Sequence, residues 1–323
     1  AQVAVFPELA IPGYPPRDLL DKESFIRRTE EALARLLSET AGLPIHLVVG
    51  TIARSGAASG KRLLNVAEVL YQGKSVFRQV KMLLPTYDVF DEGRYFVSGD
   101  SQVPCAIGAS RVGVTVCEDA WNDKQYWQRP LYARDPVAEL AGAGMDVLIS
   151  INASPYHIGK RALRRDMFAA LARHHGKPVV YVNVVGGNDQ LVFDGSSFCL
   201  DAQGEPIAEA KSFGEDLVFA DIASGDGDRH TNFASEVEAV YETLVLGTGD
   251  YLRKCGFQRV LIGLSGGIDS SITAAIAVDA IGRENVVGVA MPGPFSSDHS
   301  VEDARELAEG LGIRFEIAPI TAG

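Results

Sequence analysis

Between Val260 and Ser271 an apolar strand, Val-Leu-Ile-Gly-Leu, runs into Ser265-Gly-Gly-Ile-Asp-Ser-Ser271 and straight on into an Ala/Ile-rich stretch of helical character. Gly266 and Gly267 carry no Cβ, so the backbone can bend tightly there and turn consecutive N–H groups toward one place. A helix expected to start near Ser270 adds its positive N-terminal end, and the hydroxyls of Ser265, Ser270 and Ser271 add donors. The run therefore reads as an anion-binding loop. No lysine follows the second glycine and the glycine spacing differs from the familiar Gly-Lys-Ser/Thr nucleotide loop. Such a loop suits pyrophosphate better than transfer of a terminal phosphate, and Asp269 is the carboxylate placed to hold Mg²⁺. The plain alternative is a strand-to-helix turn that needs glycine for geometry alone.

The downstream sequence argues against that alternative. Ser271 to Ile281 reads as a buried helix stopped by Gly282, Asn285 to Met291 as a second strand, Ser300 to Gly310 as a second helix, and Ile313 to Ile320 as a third strand. Ser300 is the expected N-cap of the second helix, with Glu302 and Asp303 in its first turn. Strand, helix, strand, helix, strand implies a parallel sheet, which binds ligands beyond the carboxyl ends of its strands, where the Ser265 loop lies.

This loop resembles the signature of the N-type ATP pyrophosphatases, Ser-Gly-Gly-Ile/Val/Leu-Asp-Ser, present here from Ser265 to Ser270. That resemblance implies adenylation of a carboxylate or carbonyl oxygen by ATP, release of pyrophosphate, and displacement of AMP by ammonia or another nucleophile.

An ammonia source is suggested by Arg111-Val-Gly-Val-Thr-Val-Cys-Glu-Asp-Ala-Trp121, a β-branched strand that delivers Cys117 to its end. A sharp turn there would expose the sulfur and aim the following N–H groups at an oxyanion. Cysteine attacks as thiolate, so a group must take its proton or stabilise its charge. Val3-Ala-Val-Phe-Pro-Glu8 is an apolar strand finishing on a carboxylate, and Phe77-Arg-Gln-Val-Lys81 alternates into a lysine before Leu83-Leu-Pro-Thr-Tyr87. A glutamate can serve as general base and then acid, and a lysine can stabilise thiolate and oxyanion. Taken singly, Glu8 reads as a helix-entry charge, Lys81 as a strand-edge lysine, and Cys105, Cys199 and Cys255 as small buried hydrophobes. A rival set is Cys117 with His157 and Asn152 or Asn183, as in papain-like hydrolases. His174 and His175 end an amphipathic helix, a position that favours histidine without catalysis.

Glutamate, lysine and cysteine in that order, each at a strand end, resemble the triad of the nitrilase superfamily. Phe6-Pro-Glu-Leu9, Lys81 before its proline and aromatic run, Phe90-Asp-Glu-Gly-Arg-Tyr-Phe96, Cys117-Glu-Asp with Trp121, and Tyr181 to Gln190 with Phe193 to Ser197 resemble the glutaminase domain of the glutamine-dependent NAD⁺ synthetase family. The resemblance implies Cys117 as nucleophile, Glu8 as general base and acid, and Lys81 as stabiliser of the tetrahedral intermediate. It assigns glutamine binding to Tyr87, Glu118, Ser154 and Lys160, and ATP binding to Ser265, Gly266, Gly267, Ile268, Asp269, Ser270 and Ser271. Glutamine would be hydrolysed through a Cys117 thioester, and its ammonia would amidate adenylated deamido-NAD⁺ to NAD⁺, with Mg²⁺ as metal. The implied fold class is α/β: a nitrilase-like α-β-β-α sandwich over 1–222, a linker over 223–235, and over 236–323 part of a parallel-sheet, adenine nucleotide alpha hydrolase-like domain. Strands at 45–52, 146–152 and 179–185, a helix at 160–175, hairpin-like strands over 191–222 and a helix at 236–254 fit this plan. Thr248-Gly249 departs from the larger residues usual in the family. Nitrilase-type domains commonly pair, so the resemblance also implies a homo-oligomer.

The 323 residues, 46% hydrophobic, exceed one ordinary domain. A net charge of −12 argues against a general nucleic-acid surface. Four cysteines without metal spacing fit a reducing compartment, and neither a bilayer-length apolar run nor a signal-peptide pattern is present. The expectation is a cytoplasmic chain with small-molecule substrates. The chain is expected to open on the family's second strand and to stop after the third strand of the pyrophosphatase domain, lacking segments for much of the deamido-NAD⁺. Two other readings stand beside the two-site ligase: a nitrilase-type amidase with a nucleotide-sensing appendage, and a noncatalytic protein that keeps both pockets.

Overall fold

The computed structural model describes residues 1–230 and 235–320, the side chain of Asp298 excepted. The chain divides into two compact units, Ala1–Val185 with Phe193–Asn232, and Gly186–Val192 with Phe233–Gly323.

The first unit is the expected four-layer sandwich. One sheet holds β1 (Val3–Val5), β2 (His46–Arg54), β3 (Leu63–Tyr71) and β4 (Lys74–Val80) in that order, β1 parallel to β2 and the rest antiparallel. Its outer face, with Leu47, Val49 and Leu70, packs under Leu33, Leu36 and Leu37 of helix α1 (Glu23–Glu39). A one-turn helix α2 (Glu92–Tyr95) follows β4. The second sheet contains β5 (Cys105–Ile107), β6 (Ser110–Val116), β7 (Val147–Asn152) and β8 (Val179–Asn183), reached past helices α3 (Pro136–Gly142) and α4 (Lys160–His175). After the hairpin β9 (Val185–Asn188) and β10 (Leu191–Asp194), strands β11 (Phe198–Leu200) and β12 (Pro206–Glu209) complete it in the order β12-β11-β8-β7-β6-β5.

The strand sequences explain the layering. β7 and β6 from Val112 on are buried on both faces and so lack the solvent-facing polar side of an outer strand. Inward, Val112, Val114, Val116, Ile149 and Ile151 meet Val48, Ala67 and Val69 of the facing sheet. Outward, Leu148, Val179 and Tyr181 meet Leu140 of α3 and Met167, Phe168 and Leu171 of α4. Of the stretch expected as linker, residues 223–230 fold back, with β14 (Asp226–Gly227) paired to β13 (Ala220–Asp221) and the His230 N–H donating to the Glu209 carbonyl. Positions 231–234 of that linker, and 321–323 of the expected second domain, lie outside the described residues.

Besides Gly186–Val192, the second unit holds α5 (Glu236–Lys254), capped by Ser235, whose hydroxyl accepts from the Glu238 N–H, with acids in its first turn and Arg253 and Lys254 in its last. Then come β15 (Val260–Gly263), α6 (Ile268–Ile281), β16 (Val286–Ala290), α7 (Asp298–Leu311) and β17 (Arg314–Ile317), a parallel sheet in the order β15-β16-β17. Leu264, Ala274, Ala277, Ala304 and Ala308 form its core. A Cβ on Gly249 would lie 3.1 Å from the Ala280 carbonyl oxygen, so the small residue there lets α5 and α6 approach closely.

Two expectations are corrected. The N-cap of α7 is Ser297, whose hydroxyl accepts from the Ser300 N–H, because the helix begins one turn earlier than its apolar pattern. Cys255 is exposed: it sits at the C-cap of α5, beyond the last residue that packs.

Gly50 in β2 carries the close approach that positions the site. A Cβ there would stand 2.3 Å from both the Pro7 oxygen and the Leu9 nitrogen, so only glycine admits the segment bearing Glu8. Gly50→Ala is expected to lose about 1–3 kcal/mol of stability, the usual cost of overpacking, read as a lowered thermal midpoint; an unchanged midpoint would show that the segment yields freely.

Candidate active site

Three strand ends from two sheets converge in the first unit. Lys81 follows β4 directly, Cys117 follows β6 directly, and Glu8 lies three residues beyond β1. Glu8 and Lys81 are fully buried and Cys117 is nearly so. Lys81 Nζ donates to Glu8 Oε1 at 2.8 Å and to Glu92 Oε1 at 2.7 Å. Burial alone would lower the Lys81 ammonium, but the two carboxylates reverse that and hold it well above its ordinary range.

Glu92, in α2, is a member that sequence reasoning missed. It accepts from the Tyr14 hydroxyl at 2.9 Å and from Asn65 Nδ2 at 3.4 Å, while Asn65 Nδ2 also donates to Glu8 Oε1 at 2.7 Å. Burial pushes the Glu92 carboxyl up, Lys81 opposing and Glu8 adding to the rise. The available signal was Phe90-Asp-Glu-Gly-Arg-Tyr-Phe96, whose motif was read without a role for its glutamate.

Cys117 opens a short 3₁₀ helix, Cys117–Ala120, at φ 48°. A β-carbon-bearing residue reaches this left-handed region at a cost of about 1–3 kcal/mol, and such strain collects at functional turns. Burial is the main cause that pushes the thiol well above its ordinary value; Glu8 adds to the rise, and Lys81 and the Ala153 N–H oppose it. Burial thus favours the neutral thiol over the thiolate. The Ala153 N–H also donates to Glu8 Oε2 at 3.1 Å, tying the turn after β7 to the base candidate.

Asp119 holds the strand ends together and was likewise missed. Its Oδ1 accepts from the N–H groups of Met82 (2.9 Å) and Leu83 (2.7 Å), next to Lys81, and its Oδ2 accepts from Val116 N–H at 3.2 Å, next to Cys117. Burial raises its carboxyl to about 7 against the pull of these donors and of Lys81.

The four candidate glutamine ligands fall at the same end of the sandwich. The Tyr87 hydroxyl donates to Glu118 at 2.8 Å (Oε1) and 3.0 Å (Oε2), and burial raises the Glu118 carboxyl. Ser154 is buried, its N–H donating to Asn183 Oδ1 at 2.8 Å. Lys160 starts α4 with Nζ 4.2 Å above the Trp121 ring, its ammonium lowered first by burial and then by Arg164, with Cys117 and Glu118 pulling the other way. The rival histidine set is not assembled. His157 is exposed with Nδ1 2.9 Å from the Ile158 oxygen, Asn152 Nδ2 donates to the Ser150 carbonyl, and Asn183 Nδ2 to the Ser154 and Gly195 carbonyls.

In the second unit the glycine loop follows β15 and enters α6, whose N-cap is Gly267, earlier than the expected Ser270. Gly266 has φ 77°, and a Cβ there would meet the Ser300 carbonyl oxygen at 2.6 Å. The Ser265 hydroxyl accepts from Gly267 N–H at 3.3 Å, and the hydroxyls of Ser270 and Ser271 donate to the Gly267 carbonyl at 3.0 and 2.9 Å. These bonds set the loop, while the N–H groups of Ile268, Asp269 and Ser270, in the first turn, have no intrahelical acceptor. Asp269 is exposed beside them.

With this geometry in place, the chain belongs to the carbon–nitrogen hydrolase family, whose model matches residues 1–229; a model for NAD synthase matches residues 240–322. The glutamine-dependent NAD⁺ synthetase of Synechocystis is 44% identical over 99% of this chain and 59% of its own length. That of Thermotoga maritima is 37% identical over 99% and 60%. The solved structure of the Acinetobacter baumannii glutamine-dependent NAD⁺ synthetase in complex with ADP matches at TM-score 0.89 and 37% identity, over 99% of this chain and 59% of that one. A carbon–nitrogen hydrolase from Helicobacter pylori, 22% identical over 70% of this chain and 79% of its own, shares the fold at TM-score 0.56. The chain thus spans about three-fifths of the length of the synthetases it matches.

Two outcomes test the site. Asp119→Ala leaves three buried N–H groups without their acceptor, at about 1–3 kcal/mol each, and is expected to lower the denaturation midpoint clearly; stability equal to the wild type would remove Asp119 from this role. Alkylation of Cys117 by iodoacetamide, followed by peptide mass spectrometry, is expected to keep accelerating as pH rises past about 8.5, the ordinary thiol value. A plateau below that pH would reveal a preformed thiolate.

Proposed function

We propose that this chain carries the glutaminase site and the ATP loop of a glutamine-dependent NAD⁺ synthetase, with 1–222 as glutaminase, 223–235 as linker and 236–323 as part of the synthetase domain. What carries the reading is the buried Lys81–Glu8 pair, whose charges act on the thiol of the strained Cys117 turn, on a chain that also bears the Ser265 to Ser271 loop.

Because burial favours the neutral thiol, the reaction calls for a base, and Glu8 is the one at hand. Glu8 takes the Cys117 proton as sulfur attacks the side-chain amide carbon of glutamine. Lys81 and the N–H of Glu118, at the start of the 3₁₀ helix, steady the oxyanion. Glu8 returns the proton to the leaving nitrogen, ammonia departs, and water attacks the γ-glutamyl thioester under the same base to give glutamate. Tyr87, Glu118, Ser154 and Lys160 hold the glutamine. Lys160 and Glu118 offer charges suited to the carboxylate and ammonium of an amino acid.

Deamido-NAD⁺, activated as its adenylate, receives the ammonia, and AMP and pyrophosphate leave with NAD⁺. The Gly266 cradle, which a Cβ would fill, and the first-turn N–H groups fit ATP phosphates. Mg²⁺ is a hard ion held by one or two carboxylates with phosphate oxygens, which fits exposed Asp269; bound there it would neutralise phosphate charge. We further propose a homo-oligomer in the cytoplasm. Among the described residues no helix is long and apolar enough to cross a membrane.

The full-length protein, given glutamine, ATP, Mg²⁺ and deamido-NAD⁺, is expected to form NAD⁺ and glutamate together. Cys117→Ala is expected to lose glutamine-driven synthesis by about 10³-fold or more while keeping the ammonium-driven reaction. Glutamate without NAD⁺ in the wild type would replace the ligase by a nitrilase-type amidase with a nucleotide-sensing appendage. Neither product would leave only binding.

A further inference from the structure

The loop leaving the Cys117 turn reaches a second group of ligand-type side chains that the proposed chemistry does not use. Asp123 is buried and lies against His174 and His175, in the last turn of α4. One ligand atom from each of the three lies within 4.8 Å of the other two. His174 Nδ1 stands 3.5 Å from Asp123 Oδ2, long for a hydrogen bond. It is close to the edge of about 3.4 Å between two ligands placed 2.0–2.1 Å from a tetrahedral ion. The two imidazoles stack, centroids 4.2 Å apart and planes 19° from parallel, so adjacent helix residues turn toward the same side. His175 Nε2 is buried and has no hydrogen-bond partner among the described residues.

The carboxylate is oriented for the purpose. Asp123 Oδ1 accepts from the N–H groups of Gln125 at 2.8 Å and Tyr126 at 3.3 Å, which leaves Oδ2 facing His174. The Tyr126 hydroxyl in turn donates to Asp166 Oδ2 of α4 at 2.8 Å. Such outer bonds are what fixes a metal ligand in place.

We propose that Asp123, His174 and His175 form a site for a divalent transition ion of the zinc class, joining the loop after Cys117 to the C-terminal end of α4. Two imidazoles and one carboxylate favour zinc, cobalt, nickel or copper over magnesium or calcium. Three protein ligands leave a fourth position for water. The first residue of α4, Lys160, already touches this loop through Trp121, so an ion at the last turn clamps the loop at both ends of the helix. The site does not depend on the proposed ligase chemistry.

Zn²⁺ titrated calorimetrically into the full chain is expected to fill one site and raise the thermal midpoint. His174→Gln and His175→Gln should each weaken that site by about tenfold or more, at least the loss seen on removing an outer partner. His174→Gln keeps the test sound if His175→Gln disturbs packing, and circular dichroism checks both folds. Co²⁺ should give a visible ligand-field band without sulfur charge transfer, which separates this site from Cys117 or Cys255. Binding of equal strength in both variants, a sulfur-to-cobalt band, or no saturable binding overturns the proposal and leaves an ion pair at a helix end.

Discussion

The buried Lys81 ammonium, gripped by Glu8 and Glu92, is the interaction on which the first unit's candidate site is built. A lone charge at that depth would be expelled or neutralised; two carboxylates, with Asn65 and Tyr14 filling further positions, make it tolerable. Two carboxylates against one ammonium leave an excess negative charge, and the structure answers it by raising Glu92 through burial. Such a cluster stabilises little in net terms, since desolvation offsets attraction. Its effect is geometric: it fixes a glutamate and a lysine beside a thiol.

The same geometry ties the two sheets together. Asp119, on the Cys117 side, accepts from Met82 and Leu83 on the Lys81 side, and the Ala153 N–H, after β7, donates to Glu8, after β1. These bonds cross between facing sheets at the strand ends, where ladder bonding stops and backbone groups need partners. They also help offset the strain of the Cys117 turn.

Much of this was legible in the sequence because it was local. An apolar run that gives way to a reactive side chain stands out, so Glu8, Lys81 and Cys117 did, although β1 itself stops at Val5, and the bounds of helix α5 were readable to the last residue. Glu92, Asn65 and Asp119 were not, since all their partners but Val116 lie 11 to 78 residues away and depend on register between strands. Gly50 resembles any strand glycine until Pro7 and Leu9 are seen against it. Ser297 lost to Ser300 for a similar reason: a cap is chosen by backbone direction, and apolar periodicity reports only where packing begins.

The two units turn a strand into a helix by a similar backbone move, a positive φ directly after β6 at Cys117 and three residues after β15 at Gly266, with opposite chemical results. At Gly266 the turn costs little, because glycine has no Cβ, and the hydroxyl bonds of Ser265, Ser270 and Ser271 shape an exposed loop whose first-turn N–H groups have no intrahelical acceptor. At Cys117 the proposed chemistry rules glycine out, since the side chain would be the reagent, so the turn keeps its strain and the surrounding hydrogen bonds carry it. A phosphate loop needs bare backbone, and a nucleophile turn needs a side chain. The choice of glycine in one place and cysteine in the other follows from what each turn must present.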